Sequence, residues 1–345
     1  MIFFYYNDNL FFNLRLLKTF AIETSCDDTC ISLVEYENWN FRVLKSLSYS
    51  QIQDHQEYGW VVPEIASRLH NEKIVNLLTE FWLDDIKSSD FISYTAYPGL
   101  PGSLLVWATT ANILSNFLNK EIVKVNHIYW HIFSLLLDRN IEDLKLPMLV
   151  LTASGWHNEI YLVSIDANKK FDIQNIWKTI DDAAWEAFDK VSKMLWWPYP
   201  GGAWISEMAK KWKKRFDISS TFLKKDEFNF SFSWTKSKVY YKIKEIEKEK
   251  WSLDPQDIYD IAYAFQEWVV EVLSKKLLKA SLYYNTDSVA IVWWVSANDR
   301  LFEYIKELFE RKNNITILKP TNKSYCTDNA NMIWVVWILD KNYMI

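Results

Sequence analysis

Residues 17–37, LKTFAIETSCDDTCISLVEYE, decide the fold. Two runs rich in apolar and β-branched residues, LKTFAIETS and CISLVEYE, flank an acidic turn, which is the pattern of two paired strands. The opening recurs: PMLVLTAS begins at Pro147, and EIYLVSID follows from Glu159. After each opening, strand-like and helix-like segments alternate. In the first half these are the helical PEIASRLHNEKIVNLLTEFW with Pro63 in its first turn, the strand FISYTAY, the loop PGLPGS, the helix LLVWATTANILSNFL, the strand EIVKVN and the helix HIYWHIFSLLLD. In the second half SVAIV, a turn and SANDRLFEYIKELFERK repeat a strand followed by a helix. A polar stretch with a proline, residues 141–147, separates the halves. The expected architecture is α/β, two lobes duplicated from one plan, with an inter-lobe cleft lined by the turns that follow strands. Such turns cradle phosphates through backbone N–H groups.

Composition sets the outer bounds. Of 345 residues half are hydrophobic and 24% charged, ordinary for a globular chain, and the net charge is −5. A nucleic-acid partner must therefore be met by a local basic patch, such as KKWKKR (210–215) or the lysine-rich 236–250, or through helper proteins. Cys26, Cys30 and Cys326 are odd in number and lack CxxC spacing, against a disulfide or zinc-ribbon framework and for a reducing compartment. Residues 1–14 are apolar but lack a basic start and are interrupted by Asn7, Asp8 and Asn9, so they read as an extension or an early start rather than a signal or membrane span. The chain is expected to be cytoplasmic.

Nineteen tryptophans stand beside only six glycines, together 25 residues. A chain of this length carries about 24 glycines at the usual share of about 7%. Trp60 follows Gly59, Trp156 follows Gly155, and Trp293 with Trp294 sits where VAIV gives way to VSAND. These are turn contexts where glycine's freedom is needed and a large indole is out of place. The expectation is that the coding sequence uses UGA for glycine and has been translated as tryptophan.

Several segments carry chemistry. His127 and His131, four residues apart at the head of a predicted helix, project from one face and can share a metal. Asp328, in the turn CTDNANM, is the best third ligand, and two imidazoles with one carboxylate suit iron(II) or zinc with open positions. The pair is not a zincin motif, because Ile128 stands where HExxH has its glutamate. Glu23, Asp27 and Asp28 in ETSCDDT either position a water, metal or nucleophile or form a solvated hairpin tip. DDAAWEAFDK offers Asp181, Asp182, Glu186 and Asp189, either an acidic helix face or, with Asp189, an acceptor for a ribose hydroxyl, and YPGGA and WWVSAN are backbone of the kind that approaches a nucleotide closely.

Taken in order, AIETSCDDT, SQIQDHQEYGWVVPEIASRLH, YPGLPGSLLVWAT, VNHIYWHI, SGWHNEIYLV, DDAAWEAFDKVSKML, YPGGA, FSFSWTK, FQEWVVEVL, IVWWVSAN and CTDNANMI closely resemble the TsaD family from about Lys18 to Leu339. These are the tRNA threonylcarbamoyladenosine transferases, formerly described as O-sialoglycoprotein endopeptidases. The family pattern has glycine at Trp60, Trp107, Trp130, Trp156, Trp185, Trp196, Trp234, Trp293, Trp294, Trp334 and Trp337.

The resemblance implies an actin-like ATPase (ASKHA) fold: residues 15–145 as lobe I with the histidine pair, 146–325 as lobe II, and 326–345 returning to lobe I. It implies one divalent metal, iron(II) before zinc, on His127, His131 and Asp328, and threonylcarbamoyl-AMP against Thr152, Ala153, Ser154, Gly155 and Trp156. Asp189, Gly202 and Asn298 would contact ribose and base, and Asp27 or Asp28 would orient the amine or accept its proton. Thr152 and Ala153 depart from the family's usual Leu-Val, and Tyr97 stands where glycine is common. The reaction implied is transfer of the threonylcarbamoyl group to the exocyclic amine of the adenosine 3′ of the anticodon in ANN-decoding tRNAs. The implied partners are a paralogous non-catalytic protein and a small ATPase, with no membrane. The alternatives are a metalloprotease, disfavoured by the missing glutamate; a non-catalytic scaffold of the same fold, which would lack the metal trio; and a sugar kinase, whose cleft needs no histidine pair.

Overall fold

The computed structural model describes residues 16–37, 40–139, 141–153, 158–168, 170–214, 216–218, 229–310, 315–336 and 339. The first half begins with β1 (Leu17–Glu23), β2 (Asp28–Glu37) and β3 (Asn40–Ser50). Then come α1 (Ile52–His55), α2 (Pro63–Glu80), α3 (Leu83–Lys87), β4 (Phe91–Tyr97), α4 (Pro101–Leu118), β5 (Glu121–Asn126) and α5 (His127–Phe133). The second half runs through β6 (Met148–Ala153), β7 (Asn158–Ile165), β8 (Phe171–Lys178), α6 (Ala184–Met194) and α7 (Gly201–Ala209). It continues with α8 (Ser233–Lys250), α9 (Pro255–Tyr284), β9 (Ser288–Val292), α10 (Asp299–Glu310) and β10 (Thr316–Leu318).

Two five-stranded sheets result, ordered β3-β2-β1-β4-β5 and β8-β7-β6-β9-β10. In the first, β1 pairs antiparallel with β2 and β2 with β3, while β1/β4 and β4/β5 are parallel. In the second, β6/β7 and β7/β8 are antiparallel and β6/β9 and β9/β10 parallel. Strand for strand these are the same plan, so the lobes are duplicated as expected. Each opening is longer than the expected hairpin, because an edge strand, β3 or β8, extends it to a three-stranded meander. The PGLPGS loop is also shorter than expected: α4 starts inside it at Pro101, where a proline costs no helical hydrogen bond.

The central strands are buried on both faces, as parallel strands under helices must be: β6 and β9 are buried throughout. Burying each such large apolar side chain contributes roughly 1.5–3 kcal/mol. One core holds Leu149, Leu151, Phe188, Phe265 and Ile291 in the second half. A second core joins Val34 and Val125 to Val150, Val163, Val292 and Trp334, so apolar contact is continuous from one sheet to the other. After β10 the chain returns to the first sheet, where the Trp334 ring stacks on Phe91 with centroids 5.3 Å apart. Helix α9 is started by a capping box in which Asp254 and Asp257 each accept from the other's backbone N–H. Among the described residues no helix is long and apolar enough to cross a membrane.

Candidate functional site

The two histidines are placed by a strand end and a cap. Strand β5 runs directly into α5, and the Asn126 side chain accepts from the N–H groups of Ile128 and Tyr129, fixing the first turn. His127 and His131 therefore face one way, and both are buried. Asp328 comes from the segment after β10, just before a short 3-10 turn. Its Oδ1 lies 3.1 Å from His131 Nε2 and 4.0 Å from His127 Nε2. One ligand atom from each of the three residues falls within 4.8 Å of the others, so this buried trio could hold a metal ion.

The chemistry of the donor set fits a divalent cation. His127 Nδ1 lies 2.9 Å from Ser25 Oγ and 3.7 Å from Glu23 Oε1, leaving Nε2 toward Asp328, the arrangement that orients a ligating imidazole. Glu23 is held by the N–H of Ser25 at 2.6 Å and by the Thr95 hydroxyl. Burial pushes the Asp328 carboxyl up and, together with His127, holds His131 well below the usual imidazole range. Burial also lowers His127, but Asp328 and Glu23 outweigh it and leave that ring raised. Buried groups with this balance gain from a shared positive charge.

The acidic turn lies beside the trio. Asp27 and Asp28 are half-buried, and desolvation raises both carboxyls, Asp28 strongly and further by Asp27 and Asp328. One oxygen of Asp28 is buried without a hydrogen-bond partner. The turn is backed by His70, which sequence reasoning passed over. Its Nδ1 lies 2.8 Å from Thr29 Oγ1 and its Nε2 3.0 Å from the Cys26 carbonyl, and burial lowers it to about 4, so it stays neutral and structural. Ser25 was also passed over. A serine in a turn carries no signal until the fold brings it to His127.

On the second lobe, Asp189 projects from α6 and accepts from the Gly201 N–H at the start of α7, 2.6 Å away. Burial raises its carboxyl to about 7, with Glu186 and, after it, Asp27 of the acidic turn adding to the rise. Gly201 must be glycine for a packing reason: a Cβ there would lie 2.6 Å from Ser192 Cβ and 2.7 Å from the Phe188 carbonyl. Gly202 follows it in α7. Asn298 precedes α10, accepts from the Leu301 N–H with Oδ1 and donates Nδ2 to Gln266 Oε1 at 3.3 Å. Thr152 and Ala153 are buried at the end of β6, whereas Ser154, Gly155 and Trp156 lie outside the described residues. The three cysteines are free.

Comparison with known proteins accords with this geometry. The profile of the TsaD family, described as tRNA N6-adenosine threonylcarbamoyltransferase, matches residues 42–335. Proteins of that name are similar over nearly the whole chain. The one from Kosmotoga olearia is 40% identical over 326 residues, spanning 93% of this chain and 92% of the relative. That from Prochlorococcus marinus is 38% identical over 331 residues, 92% and 89% of the two chains. Among solved structures, the activator of the 2-hydroxyisocaproyl-CoA dehydratase from Clostridium difficile superposes with a TM-score of 0.52 at 14% identity, covering 94% of this chain and 95% of that one. HypF from T. kodakarensis gives 0.55 at 13%, covering 96% of this chain and half of its own. At such identities the likeness is one of fold, the two-lobed actin-like ATPase architecture.

Proposed function

The chain belongs to the TsaD family of tRNA N6-adenosine threonylcarbamoyltransferases, and from that premise we propose how its own residues carry the reaction. The observation that carries the proposal is the buried trio His127, His131 and Asp328, drawn from α5 and from the segment after β10 to one point beside the acidic turn. In the reaction the N6 amine of the tRNA adenosine attacks the carbamoyl carbon of threonylcarbamoyl-AMP. A C–N bond forms, the C–O bond to phosphate breaks, AMP leaves with the electron pair, and the amine loses a proton.

The trio would hold one divalent metal, iron(II) before zinc, which supplies Lewis-acid stabilisation of developing negative charge. Ser25 and Glu23 hold His127 so that Nε2 faces inward. Asp28, with an unpartnered buried oxygen and a raised carboxyl, is suited to orient the incoming amine or accept its proton, and Asp27 is the second candidate. The adenylate lies against Thr152 to Trp156, Gly202 and Asn298, and Asp189 takes a ribose hydroxyl. The lobe division follows the same reading: 15–145, 146–325, and 326–345 returning to lobe I. The enzyme works in the cytoplasm with a paralogous non-catalytic partner and a small ATPase.

The test is transfer of labelled threonine, through threonylcarbamoyl-AMP, to ANN-decoding tRNA in the presence of those partners. His131→Ala and Asp328→Ala are expected to lose both bound metal, read by elemental analysis, and transfer, while circular dichroism melts show a folded chain. Full metal occupancy in either variant removes that residue from the ligand set.

A further inference from the structure

Backbone conformation singles out three of the tryptophans. Among the described residues six that are not glycine have positive φ: Asn119, Asp138, Trp196, Trp251, Asn285 and Trp293. Asn and Asp visit this left-handed region because their short polar side chains bond locally. Tryptophan has no such excuse, and it supplies half of the set, at φ 62°, 70° and 70°. Trp251 is the left-handed C-cap of α8, the place glycine most often takes, and its side chain is 93% exposed. Trp196, just past the end of α6, is 66% exposed. An exposed indole offers little packing to offset the strained backbone.

Trp293, immediately after β9, stacks on His131 with centroids 3.8 Å apart and leans on His127 at 4.7 Å, while Trp130 lies 3.7 Å from His131. Two indoles thus crowd the buried trio. A Cβ built on Gly202 would lie 2.1 Å from Trp185 Cζ2, so the Trp185 ring fills the space that the absent side chain of Gly202 leaves open. The indole N–H groups of Trp107, Trp130 and Trp197 are buried without a partner, which tryptophan in a core normally avoids.

We infer that positions 196, 251 and 293 are glycine in the protein the cell makes, and with them positions 130 and 185, the genome's UGA codons being read as glycine. Glycine removes the strain at the first three positions and clears both the face of His131 and the backbone of Gly202. The inference does not depend on the transferase reading, because it rests on φ, burial and crowding alone.

Mass spectrometry of tryptic peptides from the native organism tests it. Residues 194–210, 251–275 and 280–300 each form one tryptic peptide and cover the three positive-φ sites. The expected result is the peptide mass with glycine at 196, 251 and 293 and UGA at those codons. Tryptophan at any one of the three overturns the inference. A recombinant pair supplies an independent readout: W196G and W251G should each melt above the chain with tryptophan, and a lower midpoint for both also overturns it. Should glycine be found and no tRNA be modified, the transferase mechanism fails while this inference stands.

Discussion

Asp189 shows how one residue can join stability to chemistry. Its carboxyl is raised from 3.8 to about 7, by burial first and by Glu186 and Asp27 after it, against the pull of the Gly201 N–H. A carboxyl raised on folding contributes stability that is full below its unfolded pKa and is lost as pH rises through the folded one. The chain is therefore expected to lose stability between pH 4 and about 7, by up to on the order of 4 kcal/mol from this residue. Asp189→Asn, whose amide stays neutral and can still accept from Gly201, should be flat by comparison. Urea melts of both proteins across that window check it, and parallel curves would show that Asp189 ionises freely. Near neutrality such a group can either donate to or accept from a ribose hydroxyl, which suits the proposed contact. At this scale the sequence was informative about identity and silent about company. His127, His131 and Asp328 could be picked from spacing and residue type, whereas Ser25 and His70 have roles that exist only once β1 and β2 are packed against α5 and α2.

Elements were legible where their pattern is strong. Strand β3 was missed although its signal was present: Phe41, Val43, Lys45, Leu47 and Tyr49 alternate inward with exposed neighbours between them, the period of an edge strand, but serines and lysines diluted its hydrophobicity. Strand β8, with Asp172, Gln174 and Asn175, is diluted in the same way. The start of α4 was missed because prolines and glycines read as loop, while Pro101 takes the one helical position that tolerates it. The junction of α6 and α7 yields a prediction of its own. Gly201 opens α7 against the backbone of Phe188 and Asp189, and a methyl there must displace main chain rather than a flexible side-chain end. Gly201→Ala is expected to cost about 1–3 kcal/mol, the usual range for overpacking. It should also lengthen the hydrogen bond from the Gly201 N–H to Asp189 and, if the proposed ribose contact holds, weaken AMP binding. A thermal melt beside AMP titration reads both, and an unchanged melt would show that α7 shifts without strain.

Over the whole molecule, the two lobes repeat one strand order, yet the site is asymmetric. Lobe I brings the histidines and the acidic turn, and the segment after β10 brings Asp328 back to them. From the second half the turn at Trp293 reaches His131, and the proposed adenylate contacts Asp189, Gly202 and Asn298 would come from there too. The test is a comparison of the tryptophan-bearing chain with one carrying glycine at 130, 185, 196, 251 and 293. Both share every proposed ligand and contact, so a difference between them reports only on space and backbone. The indoles at 130 and 293 lie against His131, and that at 185 covers Gly202, so the tryptophan-bearing chain should bind metal and adenylate poorly. Transfer to ANN-decoding tRNA is expected to be slower by on the order of a hundredfold, the scale of misplacing a reacting group by about an ångström. Neither protein should cleave a glycoprotein, because the His127 and His131 pair has Ile128 where peptide hydrolysis by such a pair places its general base. The measurement is labelled-threonine transfer with partners supplied, beside metal content of each protein. Equal rates and equal metal would mean that positions 130, 185 and 293 do not line the working cleft, and the adenylate would then have to be placed elsewhere on lobe II.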